Sequence, residues 1–218
     1  MFKIPKHYFA KISIFSTAFS LPPSEAGVEG LTEENPLVLH QISKVDFKAF
    51  LSILVPLYVN STPLFFHKYY ISPRLGCPSR QVPPNYSKYS VATWKSTLKL
   101  STMWEVTALR DLAIKNLNKL DAIEMILLGT EYRVSHWFIN GCYRLIVRKT
   151  GPTEKECDLL GINTAVQIYG LRERWLSEAH RISRIGKGPG MSECQDFVTK
   201  IVRETFSDRI FDEPKTLK

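Results

Sequence analysis

From Val91 to the C-terminus, apolar residues recur at three- and four-residue steps in one segment after another. That spacing commits this part of the chain to helices packed on one another. Trp94, Leu98 and Met103 lead into Trp104, and Leu109, Leu112, Ala113 and Leu117 form the next stripe. Asp121 opens a helix with Ile123, Ile126 and Leu127, and Ser135 opens one carrying Phe138, Ile139, Tyr143 and Ile146. Gly151-Pro152 ends it, and Thr153 with Glu156 three positions later is a capping box for the following helix. A longer helix is predicted over residues 164–185 from Ala165, Ile168, Leu171, Trp175 and Ala179. Gly186, Gly188, Pro189 and Gly190 then form a break before a last amphipathic helix with Phe197, Ile201, Val202 and Phe206. All four tryptophans fall at apolar helical positions, which marks them as core residues.

The first part of the chain is more mixed. Phe2 and Ile4 alternate with lysine and Pro5 closes the run, a short strand signal. Residues 8–21 place Phe9, Ile12, Phe15 and Phe19 on one helical stripe, stopped by Pro22 and Pro23. Residues 36–39, Pro36-Leu37-Val38-Leu39, read as a second short strand. Ser43, with Asp46 three positions on, opens a helix carrying Phe47, Phe50, Leu51 and Leu54 inward, which Pro56 bends or ends. Residues 59–90 then hold Pro63, Pro73, Pro78, Pro83 and Pro84 among scattered aromatics, with no sustained period. Such a stretch reads as an irregular insertion, because compact domains rarely contain so long a structureless loop.

Charge narrows the function classes. The chain carries 29 basic and 21 acidic residues, a net +8, which invites nucleic-acid binding only if the excess is clustered. Residues 1–58 balance five against five, and residues 151–218 balance eleven against eleven. Residues 94–150 hold nine basic against five acidic residues. The densest excess is the four basic residues Lys68, Arg74, Arg80 and Lys88 in the acid-free stretch 59–93. The charge therefore marks an insertion more than a surface, although a basic nucleic-acid-associated protein using the 59–93 loop is the alternative function. Arg172, Arg174, Arg181 and Arg184 alternate with Glu173 and Glu178 and read as a solvated helix face.

No chemistry is legible in the motifs. GxSxG, HExxH and the phosphate loop are absent, and Ile185-Gly186-Lys187-Gly188 lacks the hydroxyl that would reach a magnesium ion. Cys77, Cys142, Cys157 and Cys194 form no CxxC, and no histidine stands at zinc-ligand spacing from a cysteine pair. These are free thiols of a reducing compartment. The expectation is a protein that is not an enzyme, with no catalytic residue, no cofactor and no metal. Lys3, Lys6 and Lys11 before residues 12–21 imitate a secretion signal. Ser13, Ser16, Thr17 and Ser20 inside the apolar run argue against one. The longest apolar candidate for a membrane span, residues 50–59, is broken by Pro56. An intracellular protein of nucleus or cytoplasm is expected.

The order of segments resembles BTB/POZ domains, above all those of basidiomycete fungi. Phe2-Lys3-Ile4-Pro5 with Phe9, then Phe15 through Pro22, is similar to the family's F-x-[VI]-[PH] and F-x-x-[MA]-F-x-L-P stretch. Glu34-Asn35-Pro36-Leu37-Val38-Leu39 resembles its ENPI-x-L strand, and Ser43 through Leu51 its SKEDFEALL helix. Trp94 through Trp104 is similar to VLKLATMW, and Leu109 through Ile114 to IRELAI. The resemblance implies an α+β domain, mostly α, with a small β-sheet flanked by helices over residues 1–120. The sheet is incomplete, since the family's first strand lies upstream of the strand at residues 2–4. A helical extension follows over 121–185, then a break and terminal helix over 186–218.

The implied function is a non-catalytic protein–protein interaction module that homo- or hetero-dimerises and serves as an adaptor. Phe9, Ile12, Phe15 and Phe19 are the expected interface. Its partners are proteins, including a second copy, rather than membranes. Cullin-type ubiquitin ligases and transcriptional complexes are implied by resemblance only.

Overall fold

The computed structural model describes residues 2–20, 29–30, 34–60, 86–184 and 191–211. They form two compact units, Met1–Lys119 and Leu120–Lys218. Most of the 59–90 insertion and the Gly/Pro break lie outside the described residues.

The first unit contains α1 (Ser13–Ser20), α2 (Lys44–Asn60), α3 (Val91–Met103) and α4 (Thr107–Asn116). Their starts follow from local chemistry. Ser43 accepts a hydrogen bond from the Asp46 N–H at 2.9 Å, and Ser90 accepts from the Thr93 N–H at 3.1 Å, satisfying donors that a first helical turn leaves free. The predicted helix over 8–21 is corrected to a 3-10 turn at Lys6–Tyr8 followed by α1, and α2 continues past Pro56. α3 packs on α2 and on α4. Trp104, at the end of α3, is the hub: Phe15, Phe47 and Phe50 meet its ring edge-on at 5.0, 6.1 and 5.0 Å between centroids. Asp46 ties α2 to α3, accepting from Ser96 Oγ at 2.6 Å and Lys99 Nζ at 2.9 Å. The Ser96 hydroxyl and then the Lys99 ammonium hold its carboxyl below the usual carboxylate range.

The expected α+β class is corrected: among the described residues there is no strand, and the fold is helical. Residues 2–4 and 36–39 are the two segments read as strands. Burial alternates along 35–39 as it would on a sheet, yet among the described residues no backbone hydrogen bond involves Leu37, Val38 or Leu39. A strand exists only through its pairing, and local alternation does not supply a partner.

The second unit contains α5 (Ala122–Glu131), α6 (Ser135–Val147), α7 (Glu154–Leu160), α8 (Ile162–Arg184) and α9 (Met191–Thr205). Asp121 with Glu124, and Thr153 with Glu156, form capping boxes at the starts of α5 and α7. α5 and α6 pack most closely. A Cβ on Gly129 would lie 2.7 Å from the Phe138 nitrogen, and one on Gly141 2.7 Å from the Ala122 carbonyl oxygen. The core joins Phe138, Cys142 and Ile146 of α6 to Ile168 and Leu171 of α8 and to Val198, Ile201 and Val202 of α9.

The solvated-face reading of the arginines is corrected at Arg172. Its side chain is buried, and its guanidinium donates to the carbonyls of Ile146 at 2.7 Å, Lys149 at 2.5 Å and Arg148. These groups stand at the C-terminus of α6, where helical carbonyls lack partners and a cation is favoured.

Candidate interaction groove

In the first unit, the two non-helical segments wall a groove of about 870 Å³. Phe2 and Ile4 of one segment and Leu37, Val38, Leu39 and Ile42 of the other line it. Phe9, Phe15, Phe19 and Phe47 make its floor. The sequence explains why the floor is set: Phe15 sits on the buried face of α1 and Phe47 on the first turn of α2, both locked against Trp104. Phe2 leans edge-on against Phe47 with centroids 5.1 Å apart, which ties the N-terminal segment to α2. Val38 is 59% exposed although it lines the groove, so the wall offers an apolar side chain to whatever enters.

The charged residues described in the lining are mostly basic. Among the described residues, Lys3, Lys6 and Lys44 and one acid, Glu29, line the groove. Lys6 Nζ stands 4.5 Å above the Phe19 ring, a cation–π contact at the edge of the floor. The described lining holds no histidine, cysteine or hydroxyl side chain. What this arrangement can do is bind: apolar side chains fill the floor, and an anionic group meets the lysines.

The four residues expected at an interface are placed as follows. Phe9, Ile12 and Phe15 are 7%, 4% and 4% exposed, covered by neighbours in their own unit, and Phe19 is half-buried. Phe9, Phe15 and Phe19 meet as the groove floor, while Ile12 is not part of it. No family profile, curated protein or solved structure matches this chain. The groove therefore rests on its geometry alone.

Other expected features are placed by the same structure. Lys68, Arg74 and Arg80 of the basic loop lie outside the described residues. Tyr86 and Tyr89 set their rings edge-on to Trp94, and the Tyr89 hydroxyl donates to the Ser52 carbonyl at 2.7 Å. These two tyrosines are therefore occupied in packing. Trp94, Trp104 and Trp137 are buried and Trp175 is half-buried. Cys142 is buried, and burial pushes its thiol up to about 12, while Cys157 and Cys194 are partly exposed. Among the described residues no cluster of three metal-ligating side chains forms, and no helix is long and apolar enough to cross a membrane.

Sequence reasoning missed the groove because it assigned both walls to a sheet. It also missed Arg172, although a signal was present. Arg172 is four residues after Ile168 and three before Trp175, so it falls on the core stripe of α8.

Proposed function

We propose that this chain is a non-catalytic protein–protein interaction module, homo- or hetero-dimerising and acting as an adaptor, whose first-unit groove takes an apolar partner segment carrying acidic residues. The observation that carries the reading is that, among the described residues, Phe9, Phe15, Phe19 and Phe47 line the groove together with three lysines and one acid. Peptide-binding surfaces commonly use this division of labour, with apolar pockets for affinity and charge for orientation and partner choice. The Leu37–Leu39 backbone makes no hydrogen bond among the described residues and is available to a segment laid beside it. The segments similar to BTB/POZ proteins support the same class of function, without the sheet of that family. The free thiols Cys142, Cys157 and Cys194 suit a reducing compartment, nucleus or cytoplasm.

The test is fluorescence polarisation with a short labelled peptide of alternating valine and glutamate, and a control in which lysine replaces glutamate. The acidic peptide should bind more tightly, and Val38→Glu should weaken it while leaving the circular dichroism spectrum unchanged. Equal binding of both peptides, or an unaffected Val38→Glu variant, sinks the groove reading.

A further inference from the structure

The groove floor is better covered than a surface that stands open to a partner. Phe47 is 9% exposed, and Phe9 and Phe15 are less exposed still. Among the described residues three aromatic rings meet Phe47. Phe9 stacks on it with centroids 6.2 Å apart, Trp104 meets it edge-on at 6.1 Å, and Phe2 meets it edge-on at 5.1 Å. Phe9 and Trp104 are themselves buried and belong to the core. Phe2 is 39% exposed, so it faces water while it covers part of Phe47.

The stretch that carries Phe2 is lightly held. Neither Phe2 nor Ile4 makes a backbone hydrogen bond among the described residues, and Pro5 has no N–H to donate. Regular backbone bonding begins only at the Tyr8 N–H, which donates to the Pro5 carbonyl at 3.2 Å and opens the 3-10 turn. The apolar anchors before that turn are the ring of Phe2 and the half-buried side chain of Ile4. Segments with few buried apolar contacts and no backbone ladder open at a low free energy. The floor is the contrast, since Phe15 and Phe47 stand on helices and pack on Trp104.

We propose that Phe2 is a removable cover of the groove. Its ring holds the place over Phe47 that an apolar side chain of a partner takes, and residues 2–4 move out as the partner enters. Val38, 59% exposed, offers a segment its first apolar contact without any movement. Phe47 offers the second only when Phe2 leaves, so binding and uncovering are coupled. Lys6 lies on the 3-10 turn with its ammonium over Phe19, and Lys44 lies on α2. Both keep their places beside the groove when the cover is open. An edge-on ring pair supports a closed-to-open ratio on the order of ten, and apparent affinity falls by the fraction of molecules that are open.

The inference regulates the site of the proposed function and rests on that reading for what enters, but not for the cover itself. Two measurements on the full chain keep the two apart. In fluorescence polarisation, Phe2→Ala should bind the alternating valine–glutamate peptide about tenfold more tightly than the wild type, while Phe2→Tyr, which keeps a ring, should match the wild type. A fixed wall gives the opposite sign, because losing the ring then removes contact area and weakens the peptide. The second measurement needs no partner. Anilinonaphthalene sulfonate, an apolar dye with one anionic group, should fluoresce several-fold more strongly with Phe2→Ala than with the wild type or Phe2→Tyr, with an unchanged circular dichroism spectrum. Dye fluorescence equal to that of the wild type overturns the cover, and so does a peptide that binds Phe2→Ala no more tightly than the wild type. Loss of the helical signal in Phe2→Ala also overturns it, since that would make Phe2 a core residue. If the dye signal rises and the peptide binds none of the three forms, the cover stands and the reading of what enters the groove falls.

Discussion

Replacing Arg172 with methionine removes the guanidinium and keeps most of the apolar length of the side chain. Three carbonyls lose a charged donor: Ile146 at 2.7 Å, Lys149 at 2.5 Å and Arg148. The contact to Leu145 at 3.5 Å counts for little. Arg148 and Lys149 are at least partly exposed, so water can take over their carbonyls at a cost of about 0.5 kcal/mol each. Ile146 is fully buried, and stranding its carbonyl costs about 1.5–3 kcal/mol. Release of the guanidinium from a buried site returns part of this. The net expectation is a loss of about 2 kcal/mol, or roughly a 30-fold rise in exchange where opening of the α6 end governs protection. Arg172→Lys should recover about half, because one ammonium cannot span carbonyls on both sides of the helix end. Hydrogen exchange read by mass spectrometry on fragments covering residues 142–149 is the suitable assay, since it reports on the second unit separately from the first. A solvated arginine on a helix face would cost no more than about 0.5 kcal/mol. Exchange within twofold of wild type in the methionine variant would therefore refute the cap.

Three further outcomes follow from side chains elsewhere in the second unit. Glu156 accepts from Arg148 at 2.8 and 2.5 Å and from the Thr153 N–H at 2.6 Å; the guanidinium first, then the backbone donor, hold its carboxyl at about 2 against a reference of 4.5. A lowered carboxyl stabilises the fold above the unfolded value and loses that contribution as pH falls, so Glu156→Gln should cost about 1–2 kcal/mol at neutral pH after solvent screening. That gap should close between pH 4.5 and about 2, and a pH-independent difference in urea midpoint contradicts the pairing. Gly141→Ala should cost about 2–3 kcal/mol in thermal unfolding, because its Cβ would press on the Ala122 carbonyl oxygen at 2.7 Å, a backbone atom that cannot swing aside. Unchanged melting would mean that α5 and α6 are not in such close approach. Finally, a folded-state thiol titration followed by peptide mapping should label Cys157 and Cys194 well before Cys142, whose buried thiol stays protonated; equal labelling rates would exclude that burial.

What was legible in the sequence was whatever is decided within a turn of helix. Thr153 with Glu156 and Ser43 with Asp46 announce helix starts because a side-chain oxygen and a free N–H three residues apart need nothing else from the fold. The tryptophans were placed well for the same reason, since a large ring on a periodic stripe has few places to go. Pairing was not legible. Leu37-Val38-Leu39 carries the alternation of a strand, and its burial alternates too, but the hydrogen bonds that would make it one depend on residues far along the chain. The BTB/POZ-like segments shared the difficulty, since they too expected strands at 2–4 and 36–39. Arg172 failed differently. Its position on the core stripe was readable, but its charge and the neighbouring Glu173 outweighed the period.

The stripe of residues 9–19 shows why periodicity alone does not separate core from binding surface. Phe9, Ile12, Phe15 and Phe19 share one helical stripe, yet Ile12 is buried away from the groove while the three phenylalanines line it, with Phe9 and Phe15 also packed on Phe47 and Trp104. Phe9 and Phe15 therefore serve twice, packing on Phe47 and Trp104 and lining a groove that also holds three lysines. Side chains fixed by such packing have little rotamer freedom left to lose, so a segment laid on them would cost less ordering than one laid on free side chains. The helical period marks the stripe, and only the fold divides it into the part consumed by the core and the part left at the surface.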